Sequence, residues 1–167
     1  MEKKTIGVKM KVLYAPSKRE YNDDLHGNVA CGFDVMVLET LVGLEMLEVS
    51  YLPHIQTSLK IVESIKDIFG DSIDYCKNAP KKIEVVVSDV SNMVLKYAFL
   101  TQKPSILCLF GFNGITYPTH DKYYSMLESV THNVYSLEEL KKAFLEYSVI
   151  QKAKITKMQE FFRGAVI

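Results

Sequence analysis

Lys82-Ile83-Glu84-Val85-Val86-Val87-Ser88-Asp89-Val90-Ser91-Asn92-Met93-Val94-Leu95-Lys96-Tyr97-Ala98-Phe99-Leu100, followed by Thr101-Gln102-Lys103-Pro104-Ser105-Ile106-Leu107-Cys108, is the stretch that decides the fold. Ile83 to Val87 is a short, β-branched run of the length expected for a strand buried on both faces, and Met93 to Leu100 switches to helical spacing. The change falls between Ser88 and Asn92. Ser91 suits an N-cap, because its hydroxyl can accept from the free amides of a first helical turn, and Pro104 marks a stop before the next apolar run, Ile106 to Phe110. The stretch is therefore a βαβ unit. In open α/β sheets ligands gather at the carboxyl ends of the strands, and a helix N-terminus offers N–H groups and partial positive charge to an anion. Ser88 to Asn92 is the expected phosphate locus.

Outward from this unit, residues 6 to 14 include period-two alternation and predict a first strand ending in Ala15-Pro16-Ser17-Lys18-Arg19. A polar loop rich in turn formers follows to about Gly32. Phe33 to Leu44 predicts a helix, Met46 to Leu52 a strand closed by Pro53-His54, and Thr57 to Phe69 an amphipathic helix stopped by Gly70. Ser72 to Cys76 predicts a short strand. Beyond the central unit come a Gly- and Pro-containing loop from Gly111 to Lys122, a helix over Tyr123 to Val130 and a brief strand at Asn133-Val134-Tyr135. Ser136-Leu137-Glu138-Glu139 is a capping-box start for a helix running past Tyr147, and Ile150 to Phe162 is a last helical stretch. This order predicts an α/β, Rossmann-like three-layer domain with a mostly parallel sheet, spanning residues 1–167 as one unit.

The chain has 167 residues, 20 basic and 20 acidic, so no net charge points to nucleic acid or to a polybasic membrane surface. Cys31, Cys76 and Cys108 have no CxxC spacing and read as thiols of a reducing compartment. No apolar run reaches the length of a membrane span, and a cytoplasmic location is expected.

Val12-Leu13-Tyr14-Ala15-Pro16-Ser17-Lys18-Arg19 resembles the strand and loop, L-Y-A-P-T-x-R, that opens the second half of CDP-glycerol glycerophosphotransferases and related teichoic-acid and capsule polymerases. Ser88-Asp89-Val90-Ser91-Asn92, then Tyr97-Ala98-Phe99-Leu100 and Lys103-Pro104, resembles that family's T-D-Y-S-S, Y-A-L-L and K-P. Tyr51-Leu52-Pro53-His54 stands where the family carries a histidine after a strand. The matches fall in order over roughly residues 10 to 110 and resemble one half of a GT-B fold.

The resemblance implies transfer of glycerol phosphate, or a related polyol or sugar phosphate, from a CDP-linked donor to a cell-surface polymer with release of CMP, without a required metal or other cofactor. It places Ser91 and the amides of Ser91 and Asn92 on the diphosphate, His54 as the tentative catalytic group near the same phosphates, and Arg19 and Asp89 in or beside the donor site. The acceptor-binding half and its base are absent, so the acceptor is expected on an N-terminal domain or partner chain, which would also carry any association with the inner face of the membrane. Asn92 and Val90 replace a serine and a tyrosine of the family motif. A degenerate, non-catalytic nucleotide- or protein-binding module of the same fold is the alternative.

Each residue also has a structural reading. His54 reads as a loop histidine, Ser91 as a helix cap, and Asp89 as an acceptor for backbone amides in its turn. Arg19 and Lys18 read as solvated loop charges. His26, His120 and His132 have no ligand spacing, so no metal site is expected. Tyr123-Tyr124 reads as helix packing or as a stack on a base.

Overall fold

The computed structural model describes residues 7–21, 29–89, 91–110 and 127–164, with backbone alone at 29 and 30. Its strands are β1 (Met10–Tyr14), β2 (Leu47–Tyr51), β3 (Asp74–Tyr75), β4 (Val85–Ser88), β5 (Ser105–Cys108) and β6 (Thr131–Val134). They form one six-stranded sheet in the order β3-β2-β1-β4-β5-β6, and every pairing is parallel. The helices are α1 (Val29–Val42), α2 (Leu59–Phe69), α3 (Met93–Thr101), α4 (Leu137–Leu145) and α5 (Tyr147–Gly164). The architecture is Rossmann-like, in three layers.

Parallel strands bury both faces, which is why β4 and β5 are buried at every position and carry the apolar runs Val85-Val86-Val87 and Ile106-Leu107-Cys108. On one face Val12, Val49 and Val85 lie in register and meet Phe33, Val37 and Leu41 of α1, with Leu140 and Phe144 of α4 beside them. On the other face Leu13 and Val86 pack against Tyr97 of α3, and Leu107 packs against Val94. Burying such aliphatic side chains contributes roughly 1.5–3 kcal/mol each. α5 joins the two outer layers. Its Tyr147 belongs to the first face and donates to the Pro104 carbonyl at 3.0 Å, while its Met158 packs with Ala98 and Val130 on the second.

The ends of the elements follow local chemistry. Gly70 closes α2 at φ 50, its amide donating to Lys66 O, and Gln102 closes α3 in the left-handed region at φ 56, its amide donating to Ala98 O. Ser136 caps α4, accepting from the Glu139 amide at 3.1 Å, while the Glu139 carboxylate reaches back to the Tyr135 amide. The structure departs from sequence expectation in several places: β1 begins only at Met10, with residues 7–9 outside the strand, and β3 is confined to Asp74–Tyr75. The helix begun at Ser136 does not run past Tyr147: the chain leaves helical geometry at Glu146, where Tyr147 must turn toward Pro104. β6 begins at Thr131 rather than Asn133, because Thr131 is itself buried and pairs with Ser105 of β5, as Val134 pairs with Cys108 at the other end. α1 begins at Val29, ahead of Phe33.

Residues 76–84, between β3 and β4, contain no helix. Ile83 and Cys76 cover part of the second face over β1 and β2 instead, and an open cleft remains beside α3. Ile6, the loop residues 22–28, Val90, the Gly111–Lys122 loop, Tyr123, Tyr124 and the Ala165-Val166 end lie outside the described residues; residues 127–130 of the expected 123–130 helix are helical. Among the described residues no helix is long and apolar enough to cross a membrane.

Candidate functional site

The strand order reverses between β1 and β4, so the crevice at the carboxyl ends of these two strands is the topological switch point at which open α/β sheets bind ligands. Three loops meet there: residues 15–21 after β1, 52–58 after β2, and Asp89, Ser91 and Asn92 after β4. Each leaves a buried strand end and is held by backbone bonds to its neighbours. Ala15 N–H donates to Val87 O and Leu52 N–H to Tyr14 O, both at 2.9 Å.

Two connected cavities open between these loops. The first, of about 530 Å³, is an apolar slot floored by Leu13 and Leu52 and walled by Ile83, Met93, Tyr97 and the Ala79-Pro80 turn. The second, of about 550 Å³, is polar and is lined by Ser17, Lys18, His54, Gln56, Asn92 and Lys96. Ser91, His54, Met93 and Lys96 border both. Among the described residues the charged lining of the two cavities is the lysines Lys18, Lys77, Lys81 and Lys96, with no carboxylate. The electrostatic preference is for an anion. Lys18 also pairs with Glu20 at the surface, an exposed contact of small strength.

Ser91 caps the first turn of α3. Its Oγ accepts from Met93 N–H at 3.2 Å and its own amide donates to Asp89 O at 2.9 Å, so the hydroxyl proton remains for a ligand. Asn92, exposed, stands at the N-cap position. His54 Nδ1 accepts from Gln56 N–H at 3.2 Å, a bond that puts the imidazole proton on Nε2 and makes that nitrogen a donor.

Beneath this polar surface lies a buried ionic network. Arg19, Asp34 and Asp89 are 3%, 0% and 1% exposed. Arg19 Nε and one terminal nitrogen reach Asp34 at 2.9 and 2.8 Å, and the other terminal nitrogen reaches Asp89 at 2.9 Å and Ser17 Oγ at 2.7 Å. Ser17 donates its amide and its hydroxyl to the Asp89 carboxylate at 2.6 and 2.7 Å, and Tyr14 OH donates to Asp34 at 2.6 Å. Burial pushes the Asp34 carboxyl above its ordinary value, against the opposing pull of Arg19 and of the Tyr14 hydroxyl. Burial alone would lower Arg19, but the bonds to Asp34 and the charge of both carboxylates outweigh it and hold the guanidinium protonated. Burial and then the Asp34 charge raise the Tyr14 phenol, which stays a donor.

Of the residues singled out in the sequence, Ser91, Asn92 and His54 come together around the polar cavity. Arg19 and Asp89 do not line it; they lie below it, bonded to each other, and Asp89 accepts a backbone amide from the loop after β1. Lys96, Gln56 and Ser17 join the cavity lining without having been marked in the sequence. Nothing in the sequence sets Lys96 apart from an exposed helix lysine. Asp34 was legible in principle: it shares the helical face of Leu38 and Leu41, a buried stripe on which a lone carboxylate needs a cation. Among the described residues no three His, Cys, Asp or Glu side chains converge as a metal ion would require. No protein-family model and no curated protein matches the sequence.

Proposed function

We propose that the cleft binds a nucleoside-diphosphate-linked donor, and that the chain is the donor-binding half of a glycerophosphotransferase-like enzyme. It would hold a CDP-linked polyol or sugar phosphate while an acceptor polymer is presented by another domain or chain. One observation carries this reading. The three residues that the family resemblance places on the diphosphate, Ser91, Asn92 and His54, share one polar cavity with Lys18 and Lys96, and that cavity opens into an apolar slot large enough for a flat ring.

The chemistry follows from the donor set. Attack of an acceptor hydroxyl on the distal phosphorus forms one P–O bond and breaks the bond to the bridging oxygen, so charge grows on the departing CMP phosphate. Positioned donors and positive potential at that oxygen are what such a transfer needs. The Ser91 hydroxyl, the Asn92 amide at the start of α3, Nε2–H of His54 and the Lys96 ammonium supply them. The base that takes the acceptor proton comes from the acceptor side. A donor drawn from the cytoplasm would meet its polymer at the inner face of the membrane through that partner.

The alternative, a module that binds a nucleotide without turning it over, draws support from Asn92, which brings no hydroxyl, and from the engagement of Asp34 and Asp89 within the buried network. Calorimetric titration of the chain with CDP-glycerol, CDP, CMP and UDP tests the site. Cytidine nucleotides are expected to bind, and Ser91→Ala combined with His54→Ala to weaken CDP about tenfold or more, since each removes a bond to a charged group. Unchanged affinity in the double variant removes the proposed site. Turnover on adding an acceptor domain separates the enzyme half from the binding module.

A further inference from the structure

Arg19 lines neither cavity, yet each loop that supplies a ligand-facing residue is fastened to it. Its side chain forks onto Asp34 of α1 and bridges to Asp89 and Ser17. Its backbone secures the loop after β2: the Arg19 amide donates to Thr57 Oγ1 at 3.2 Å, and its carbonyl accepts from Ser58 N–H at 3.0 Å. One step further out stand the groups that face the cavity. Lys18 is the residue between Ser17 and Arg19, Thr57 N–H closes the turn of His54 by donating to its carbonyl at 2.8 Å, and Ser91 N–H is bonded to Asp89 O.

We propose that Arg19 is a positioning residue for the anion site: without touching the ligand, it sets the spacing of Lys18, His54 and Ser91, with Asp34 as its anchor on α1. This inference rests on reading the cleft as a diphosphate site. The geometry calls for arginine in particular. Three nitrogens of one plane each hold a different oxygen, and an ammonium, a point charge on a flexible stem, cannot keep the fork on Asp34 while reaching Asp89. Its three charged groups, Arg19, Asp34 and Asp89, are buried, so the bonds among them resist loosening more than surface pairs do.

The test uses CDP and CMP as probes on the whole chain, with dissociation constants measured well below the melting temperature. Arg19→Lys is expected to weaken CDP about tenfold, and to bring the ratio of the CMP and CDP dissociation constants toward one, because the second phosphate loses its fixed donors. A loss of folded protein scales both constants alike and leaves the ratio where it was. An unmoved ratio in Arg19→Lys overturns the proposal. Should that variant fail to fold, Asp34→Asn, which keeps the shape of the anchor and lies outside both cavities, is expected to move the ratio in the same direction, and an unmoved ratio there overturns it equally. Wild-type chain that binds neither nucleotide, or Ser91→Ala that binds both unchanged, defeats the site and the inference with it. A Ser91→Ala loss beside an unmoved ratio in the Arg19 and Asp34 variants defeats the role of Arg19 alone.

Discussion

Replacing Arg19 by methionine keeps the bulk of the stem and deletes the cation from a network in which two carboxylates are almost fully buried. Breaking a buried pair by removing one partner costs about 3–5 kcal/mol, because the remaining charge has neither water nor counter-ion. Against a total stability of about 5–15 kcal/mol for a domain, that is a large fraction. The melting temperature should fall by roughly 6–20 °C. The deficit should depend on pH in a definite sense. Burial already raises Asp34 in the native protein, and without the guanidinium it rises further. A carboxyl raised in the folded state takes its proton before the unfolded chain does, so lowering the pH from 7 through the folded value favours the fold. The gap between variant and wild type should therefore narrow as the pH falls toward 5. Adding Asp34→Asn should recover part of the loss, since the worst-placed charge goes with it. Urea unfolding followed by far-ultraviolet circular dichroism, which suits a chain without tryptophan, reads all three. A loss below about 1 kcal/mol with no pH dependence would place the pair in the class of weak surface contacts and refute the account of a buried, mutually dependent network.

Two further outcomes follow from local chemistry. Ser136→Ala removes the side chain that accepts from the Glu139 amide and should cost about 1 kcal/mol, read as a lower urea midpoint with the slope unchanged; an unaltered midpoint tells against the cap. Burial pushes the Cys108 thiol well up and closes it to solvent, whereas Cys31 and Cys76 are half-buried. Iodoacetamide should then alkylate Cys31 and Cys76 in the native protein and Cys108 only after denaturation, and labelling of Cys108 at the rate of Cys76 in folded protein contradicts its placement in β5.

The central βαβ unit was legible because burial on both faces of a parallel sheet writes itself as Val85-Val86-Val87 and Ile106-Leu107-Cys108, with no polar interruption. β6 was placed less well, since this edge strand of Thr, His, Asn and Val buries only its two ends, and one of these, Thr131, is polar. The break between α4 and α5 is set by a partner 43 residues away, the Pro104 carbonyl that holds Tyr147, and no periodicity near Glu146 records it. Its place at the end of a buried strand and the start of a helix singled out Ser91, whereas His54 was marked only by the family resemblance. Lys96 could not be told from a solvated helix lysine until three loops were seen to close on it. Arg19 was recognised by its motif, but its direction depends on Asp34, which the apolar stripe of α1 conceals among Phe33, Val37, Leu38 and Leu41.

The sheet has a consequence for synthesis. β1 leaves the ribosome before the other strands of this sheet, yet it is an interior strand, and its second neighbour, β4, lies about 73 residues further along, as the bond from Lys11 to Glu84 measures. At translation rates of roughly 5–20 residues per second, β1 waits about 4–15 s with one edge unmatched. No hairpin can shield it in the meantime, because every pairing is parallel and needs a crossover. The Met10–Ala15 segment is thus the part of the nascent chain with most need of a chaperone, and the point at which slow elongation before Val85 would do most harm.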